Sequence, residues 1–215
     1  MKPGRLTIFI ALIISQIASS QKIIWETGGL DVLKGQTALA SSINYEGMQV
    51  SDLAENEFIA QQKEELNKKK QGDGDKFADA WNNAKKEKFI KRFNEHFTKA
   101  SKEKIKAGSE EGAKYLIILT PTSIDLGKGR YYGTKPALVD FELAIVEKEN
   151  PNNIVAKGRA KEVKGESKAP RGTGWIPGGV GTAIDVSNRV QNFDPTNRVA
   201  ESFELLAVAM GKALR

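Results

Sequence analysis

His96 is the single histidine of the chain, and it falls at the edge of a helical stripe formed by Phe89, Phe93 and Phe97. A lone imidazole serves as a catalytic base only beside a matched Ser or Cys, with a third group to orient it. No such motif accompanies His96, so a packing or hydrogen-bonding role is expected. Asp73 and Asp75 are spaced like the opening of a calcium loop, whose hard oxygen ligands surround a tight Gly turn. Lys76 and Phe77 stand where further oxygen donors belong, and no Glu closes the loop. The pair reads instead as a helix linker, with Asp75 as the cap. No metal and no cofactor is expected.

Two Gly-rich stretches carry the remaining chemistry. Residues 171–181, RGTGWIPGGVG, have the glycines of a phosphate cradle, but Gly181 is followed by Thr182 and Ala183 rather than Lys-Ser/Thr. The stretch reads as a loop, with recognition by Arg171 and Trp175 as its functional alternative. Trp175 sits among glycines without periodic apolar neighbours, so its ring is placed either to anchor a partner or to plug the edge of the core. Lys128, Arg130, Tyr131, Tyr132 and Lys135 put basic and aromatic side chains on a second Gly-flanked loop. That mixture suits stacking on sugars and pairing with anions, beside the plainer reading of a solvated turn. Among 27 acidic residues nothing selects the converging carboxylates of a glycosidase.

The chain opens with an export address. Lys2 and Arg5 precede the apolar run 6–14, and Ala18, Ser19 and Ser20 offer small residues at a cleavage site. The run is shorter than the ~20 apolar residues of a transmembrane helix. Residues 1–20 are therefore expected to be a signal peptide, and 21–215 one domain outside the cytoplasm. The net charge of +6 falls to +4 once Lys2 and Arg5 are removed, which describes a solvated surface rather than a nucleic-acid-binding one. There is no cysteine, so disulfides, thiolate catalysis and a lipidated cysteine are all excluded.

The elements that must position these residues are legible by period. Residues 37–50 read as a strand ending in a turn at Gly47. Asp52 and Glu55 have the spacing of a capping box opening a helix with Phe58, Ile59, Gln62 and Leu66 on one stripe. Residues 67–71 let that helix fray. Residues 76–106 are the longest helical stretch. Its Phe77/Trp81/Ala84 stripe points away from Phe89/Phe93/Phe97 on an ideal helix, so the helix either breaks near 85–87 or is covered on two sides, and we favour the second. Residues 115–120, YLIILT, read as a central strand. Val139, Phe141, Leu143 and Ile145 alternate with polar or small residues, and 150–153, NPNN, supply turn chemistry before a partner strand to Val163. A final helix is capped by Asp194, begins at Pro195 and carries Val199, Phe203, Leu206, Met210 and Leu214 on one face. Leu205 lies off that face and Val208 nearly opposite it. The expected fold is α+β in two layers: a small mixed, mainly antiparallel sheet with helices packed on it.

The succession of YLIILTPTSID, ALVDFELAIVEKENPNNIVAKGRA and RVAESFELLAVAMGKAL resembles exported bacterial envelope domains. These include the amino-terminal domain of the Tol-system propeller protein, the curli-secretion channel lipoprotein and activators of penicillin-binding proteins. The stretch from Tyr45 to Phe97 is similar to uncharacterised secreted proteins of the Bacteroidota. The resemblance implies the fold and an envelope location, and brings no catalytic motif with it. We therefore expect a non-catalytic envelope protein that binds a protein or an envelope polymer, with a homo-oligomer compatible. Its candidate interaction residues are Arg130, Tyr131, Tyr132, Arg171, Trp175, Leu205 and Val208. The alternatives are a carboxylate-dependent hydrolase of envelope polysaccharide and a component of an oligomeric outer-membrane assembly. The last rests on Val180, Thr182, Ile184 and Val186, an alternation shorter than the ~9–11 residues of a membrane strand.

Overall fold

The computed structural model describes residues 23–127, 135–165 and 195–215. The expected signal peptide and the cap Asp194 lie outside them.

The core of the sheet is the antiparallel run β6 (Tyr115–Asp125), β7 (Ala137–Glu147) and β8 (Asn150–Gly165). It extends on one side to β1 (Ile23–Thr27), antiparallel to β8, and on the other to β2 (Ala38–Ile43) and then β5 (Lys106–Ala107), both joined in parallel. The short strands β3 (Gln49–Val50) and β4 (Leu53–Ala54) pair with each other, and β3 also lies parallel to β6. The parallel pairing of β2 with β6 requires a crossover, which the first helices supply. The fold is thus α+β: an eight-stranded mixed, mostly antiparallel sheet with helices packed against it.

Alternation places Ala137, Val139, Phe141, Leu143 and Ile145 of β7 in the core, opposite Ile117, Leu119 and Ile124 of β6. Chain reversal between β7 and β8 comes earlier than the sequence suggested. Glu147 pairs with Asn150 across a two-residue turn, and Val146 already pairs with Ile154. Residues 151–153 are therefore a bulge within β8. Pro151 has no N–H to give a ladder and is at home in such a bulge.

Helix α1 (Glu55–Lys69) begins after Ala54 without a side-chain cap, so the expected capping box does not form. Asp52 instead sits with φ 65° in the turn between β3 and β4, too far back to reach the first turn of α1. Helix α2 (Asp73–Asn83) is capped from the end of α1. Asn67 Oδ1 accepts the amides of Gly72 at 3.0 Å and Gly74 at 2.9 Å. Asp75, the expected cap, instead pairs with Lys63 at 2.6 Å across α1 and α2.

From α2 the chain runs through a π-helical turn, Ala84–Lys88, into α3 (Phe89–Ala100). The long helix thus ends at Ala100 rather than 106, and its two stripes share one side. A π-turn adds one residue, about 100° of rotation, to an α-helix. Eight α-helical steps would leave Phe89 about 80° from Trp81; with the extra residue the two lie within about 20°. Their rings meet edge to face at 6.1 Å. The expectation of a helix covered on two sides is replaced by a local change of phase.

Helix α4 (Pro195–Ala213) lies alongside α3, and Val199, Phe203, Leu206 and Met210 are fully buried, as its period predicts. Gly211 makes that approach possible, since a Cβ there would meet Ala100 and the backbone of Phe97 and Ser101. Phe203 stacks on Phe89 at 5.1 Å and meets Phe141 edge-on at 4.9 Å. With Phe58, Phe77 and Trp81 these rings form one aromatic chain from α1 to β7. Each such pair adds about 0.5–1.5 kcal/mol beyond the area it buries.

Candidate functional site

Two places gather polar chemistry. The first is the end of the sheet from which both candidate recognition stretches leave the described chain. Asp125 pairs with Leu138, Leu138 with Lys164, and Ala137 with Gly165, so the chain ends flanking 128–134 and 166–194 lie side by side. Helix α4 joins them. Arg198, only 3% exposed, donates from Nε to the carbonyl of Leu126 at 3.0 Å. Lys88, at the end of the π-turn, donates to Thr196 Oγ1 at 2.7 Å. Gly165 packs so tightly on α4 that a Cβ would strike the Arg198 carbonyl and the Ser202 hydroxyl. An interior guanidinium is rare because its desolvation must be offset by hydrogen bonds. Here it ties the end of β6 to the first turns of α4.

The same end carries two bulges at one level. Pro121 pairs with Phe141 and Ser123 with Asp140, leaving Thr122 extra on β6. Ala160 pairs with Phe141 and Val163 with Val139, leaving one residue extra on β8. Both flank Asp140. Its Oδ1 accepts the amide of Glu162 at 2.7 Å, and Glu162 takes φ 49°. The two slips keep Ile124 and Val163 in the core although each is three residues past its inward neighbour.

The second place is a knot around the π-turn. Glu55 accepts Trp81 Nε1 at 2.7 Å and both its oxygens lie 2.6 Å from Lys85 Nζ. The Lys85 ammonium stands 4.6 Å over the Tyr45 ring, and the Tyr45 hydroxyl donates to the Lys85 carbonyl at 2.9 Å. Burial, helped by the Glu55 charge, pushes the Tyr45 phenol well above its ordinary range. A shallow cleft of about 350 Å³ lined by Tyr45, Met48, Gln49 and Glu55 opens beside it. Both charges in the knot are answered within it, which makes it a clamp between α1, the π-turn and the β2–β3 loop rather than a reactive centre. The sequence reading missed Tyr45, Glu55, Trp81 and Lys85 as a group. They share no motif, and Tyr45 and Lys85 stand 40 positions apart.

Of the residues singled out in the sequence, Arg130, Tyr131 and Tyr132 fall in 128–134, and Arg171 and Trp175 in 166–194, outside the described residues. Leu205 is exposed on α4, while Val208 is half-buried rather than facing solvent outright. His96 Nδ1 lies 3.3 Å from Glu204, which also faces Arg92 at 3.6 Å, so it bridges α3 and α4. Asp73 and Asp75 are each ion-paired with a lysine. Among the described residues no three His, Asp or Glu side chains are grouped to hold a metal, and no helix is long and apolar enough to cross a membrane. Glu110, Glu147 and Glu149 line an open hollow of about 620 Å³, where Lys148 is held by Glu110 at 2.9 Å.

No protein-family model matches the sequence, and no curated protein does. Among solved structures, the chain is similar to a PelC dodecamer from Paraburkholderia phytofirmans. The match covers 82% of this chain and 96% of that one, at 10% identity and a TM-score of 0.32.

Proposed function

We propose that the chain is an exported, non-catalytic envelope protein that binds a protein or an envelope polymer at the end of its sheet where β6, β7, β8 and α4 meet. One observation carries this reading: the basic, aromatic stretch 128–134 and the Gly-rich stretch 166–194 that holds Arg171 and Trp175 continue from adjacent strand ends. Along the chain, Arg130, Tyr131 and Tyr132 follow Gly127 by three to five residues, and Arg171 and Trp175 follow Gly165 by six and ten. The anchoring of that pole by Arg198 and Gly165 supports the reading, since recognition loops work from a rigid base. The apolar run 6–14 after Lys2 and Arg5 supports export.

The test is retention of purified protein on isolated cell envelopes. Trp175→Ala and the double change Tyr131→Ala with Tyr132→Ala are each expected to reduce retention at least about tenfold with little change in melting temperature. Full retention by both variants would defeat the proposal. A drop of about 3–5 kcal/mol in stability for Trp175→Ala would make that residue a core plug instead.

A further inference from the structure

We propose that Asp140 is the positioning residue of the end of the sheet that meets α4, holding the phase slip by which β6 and β8 change register together. Bulges are commonly placed where a sheet must re-aim a side chain or end its pairing, and they sharpen its twist. Here two fall on either side of one residue of the middle strand, which itself alternates without a break from Ala137 to Ile145. Beyond them lie Ile124, Val139, Val163 and Gly165, at the end of the sheet that meets α4 and launches both candidate stretches.

An extra residue in β8 releases one amide from the ladder, and Glu162 takes a left-handed conformation that a residue with a Cβ rarely adopts. The Asp140 carboxylate takes up that amide at 2.7 Å. On the other side the extra residue of β6, Thr122, donates from Oγ1 to the Asp140 carbonyl at 3.4 Å. Asp140 thus holds β8 with its side chain and β6 with its backbone. Without the carboxylate, the strained turn at Glu162 loses its acceptor, while the Thr122 bond to the Asp140 carbonyl is kept. The loosening is expected at this end of the sheet and not in the part packed on α3.

This inference rests on the reading that the end of the sheet beside α4 binds, but its first measurement does not. Amide hydrogen exchange is followed in the full chain for Asp140→Ala and Asp140→Asn. For Asp140→Ala, exchange is expected to rise about tenfold or more at 161–165, with 115–119, 143–147 and 156–160 unchanged. Asp140→Asn keeps an acceptor oxygen and is expected to exchange like the parent. Uniform acceleration, global unfolding of Asp140→Ala, unchanged exchange, or an Asn variant as loose as the Ala variant would each overturn the positioning role. Envelope retention of the same proteins separates the two ideas. Loosening confined to this end with reduced retention supports both. The same loosening with retention intact leaves Asp140 in its role and overturns binding at this end.

Discussion

Trp81 and Phe89 stand eight positions apart on one continuous helix, yet their rings meet edge to face at 6.1 Å. Only the π-turn between them makes this possible, and it joins the aromatic cluster of α1 and α2 to that of α3, α4 and β7. If the turn is one residue inserted into an α-helix, removing one residue from it should restore the ordinary helix with the same faces aligned. Seven α-helical steps turn through about 700°, which returns to within about 20° of the start. Deleting the exposed Lys86 is therefore expected to leave a folded protein with Tm changed by only a few degrees. Adding an alanine after Lys86 rotates α3 by a further ~100° and should abolish cooperative unfolding. Thermal melts recorded by near-ultraviolet circular dichroism read both, and collapse of the deletion variant would show that the π-turn is not a simple insertion.

The knot that brackets this turn makes a second prediction. Glu55 and Lys85 are each about one-fifth exposed, so removing one charge strands the other in a poorly solvated place. Glu55→Ala also leaves the Trp81 N–H without its acceptor. A loss of about 2–4 kcal/mol is expected in chemical denaturation. Replacing both charges, Glu55→Gln with Lys85→Met, should cost less than the two single changes added together. Strict additivity would show the pair to be a solvated ion pair of little consequence.

Tyr45 gives the knot a signature in pH. Burial and the neighbouring Glu55 charge raise its phenol above the ordinary range, so the folded state resists ionisation that the unfolded chain accepts. The folded form then holds a proton the unfolded form has lost. The stabilisation is complete below the unfolded phenol value, declines as pH rises above it, and is gone beyond the folded value. In an absorbance titration of folded protein one phenolate should appear late, together with alkaline unfolding. Tyr45→Phe gives up the hydrogen bond to the Lys85 carbonyl, so it should be about 0.5–1.5 kcal/mol less stable at neutral pH. It should also lose less stability than the parent between neutral and strongly alkaline pH. Equal alkaline losses in the two proteins would show that Tyr45 does not govern this range.

The range of each interaction along the chain decides whether sequence can reveal it. The β7 alternation and the α4 stripe were legible because burial repeats every two or 3.6 residues along one segment. Strand β1 escaped notice because five residues, IIWET, are too few to establish a period beside an export segment. The residues next to the start of α2 offer Asp75 as its cap, whereas Asn67 reaches it from the preceding helix. The paired bulges at Thr122 and Glu162 break alternation in two strands at once, so neither strand betrays its register alone. The neighbourhood of the two candidate stretches was hidden for the same reason: Asp125, Leu138 and Lys164 become adjacent only when the sheet forms.

Helix α4 supplies the last prediction. Its buried face is filled by Val199, Phe203, Leu206 and Met210, and Leu205 projects away from that face with 37% of its surface exposed. A single exposed leucine is ordinary on a monomer and becomes informative only if something covers it. Leu205→Glu should leave stability within about 0.5 kcal/mol, because no core contact is lost. Val208 is half-buried, so Val208→Glu should cost more, about 1–2 kcal/mol, as its side chain trades partial burial for a charge that must reach solvent. If this side of α4 joins copies of the chain, Leu205→Glu alone should shift the population toward monomer in analytical ultracentrifugation while the melt stays unchanged. A parent protein that is monomeric at every concentration, with the variant indistinguishable from it, would remove Leu205 from the interaction surface.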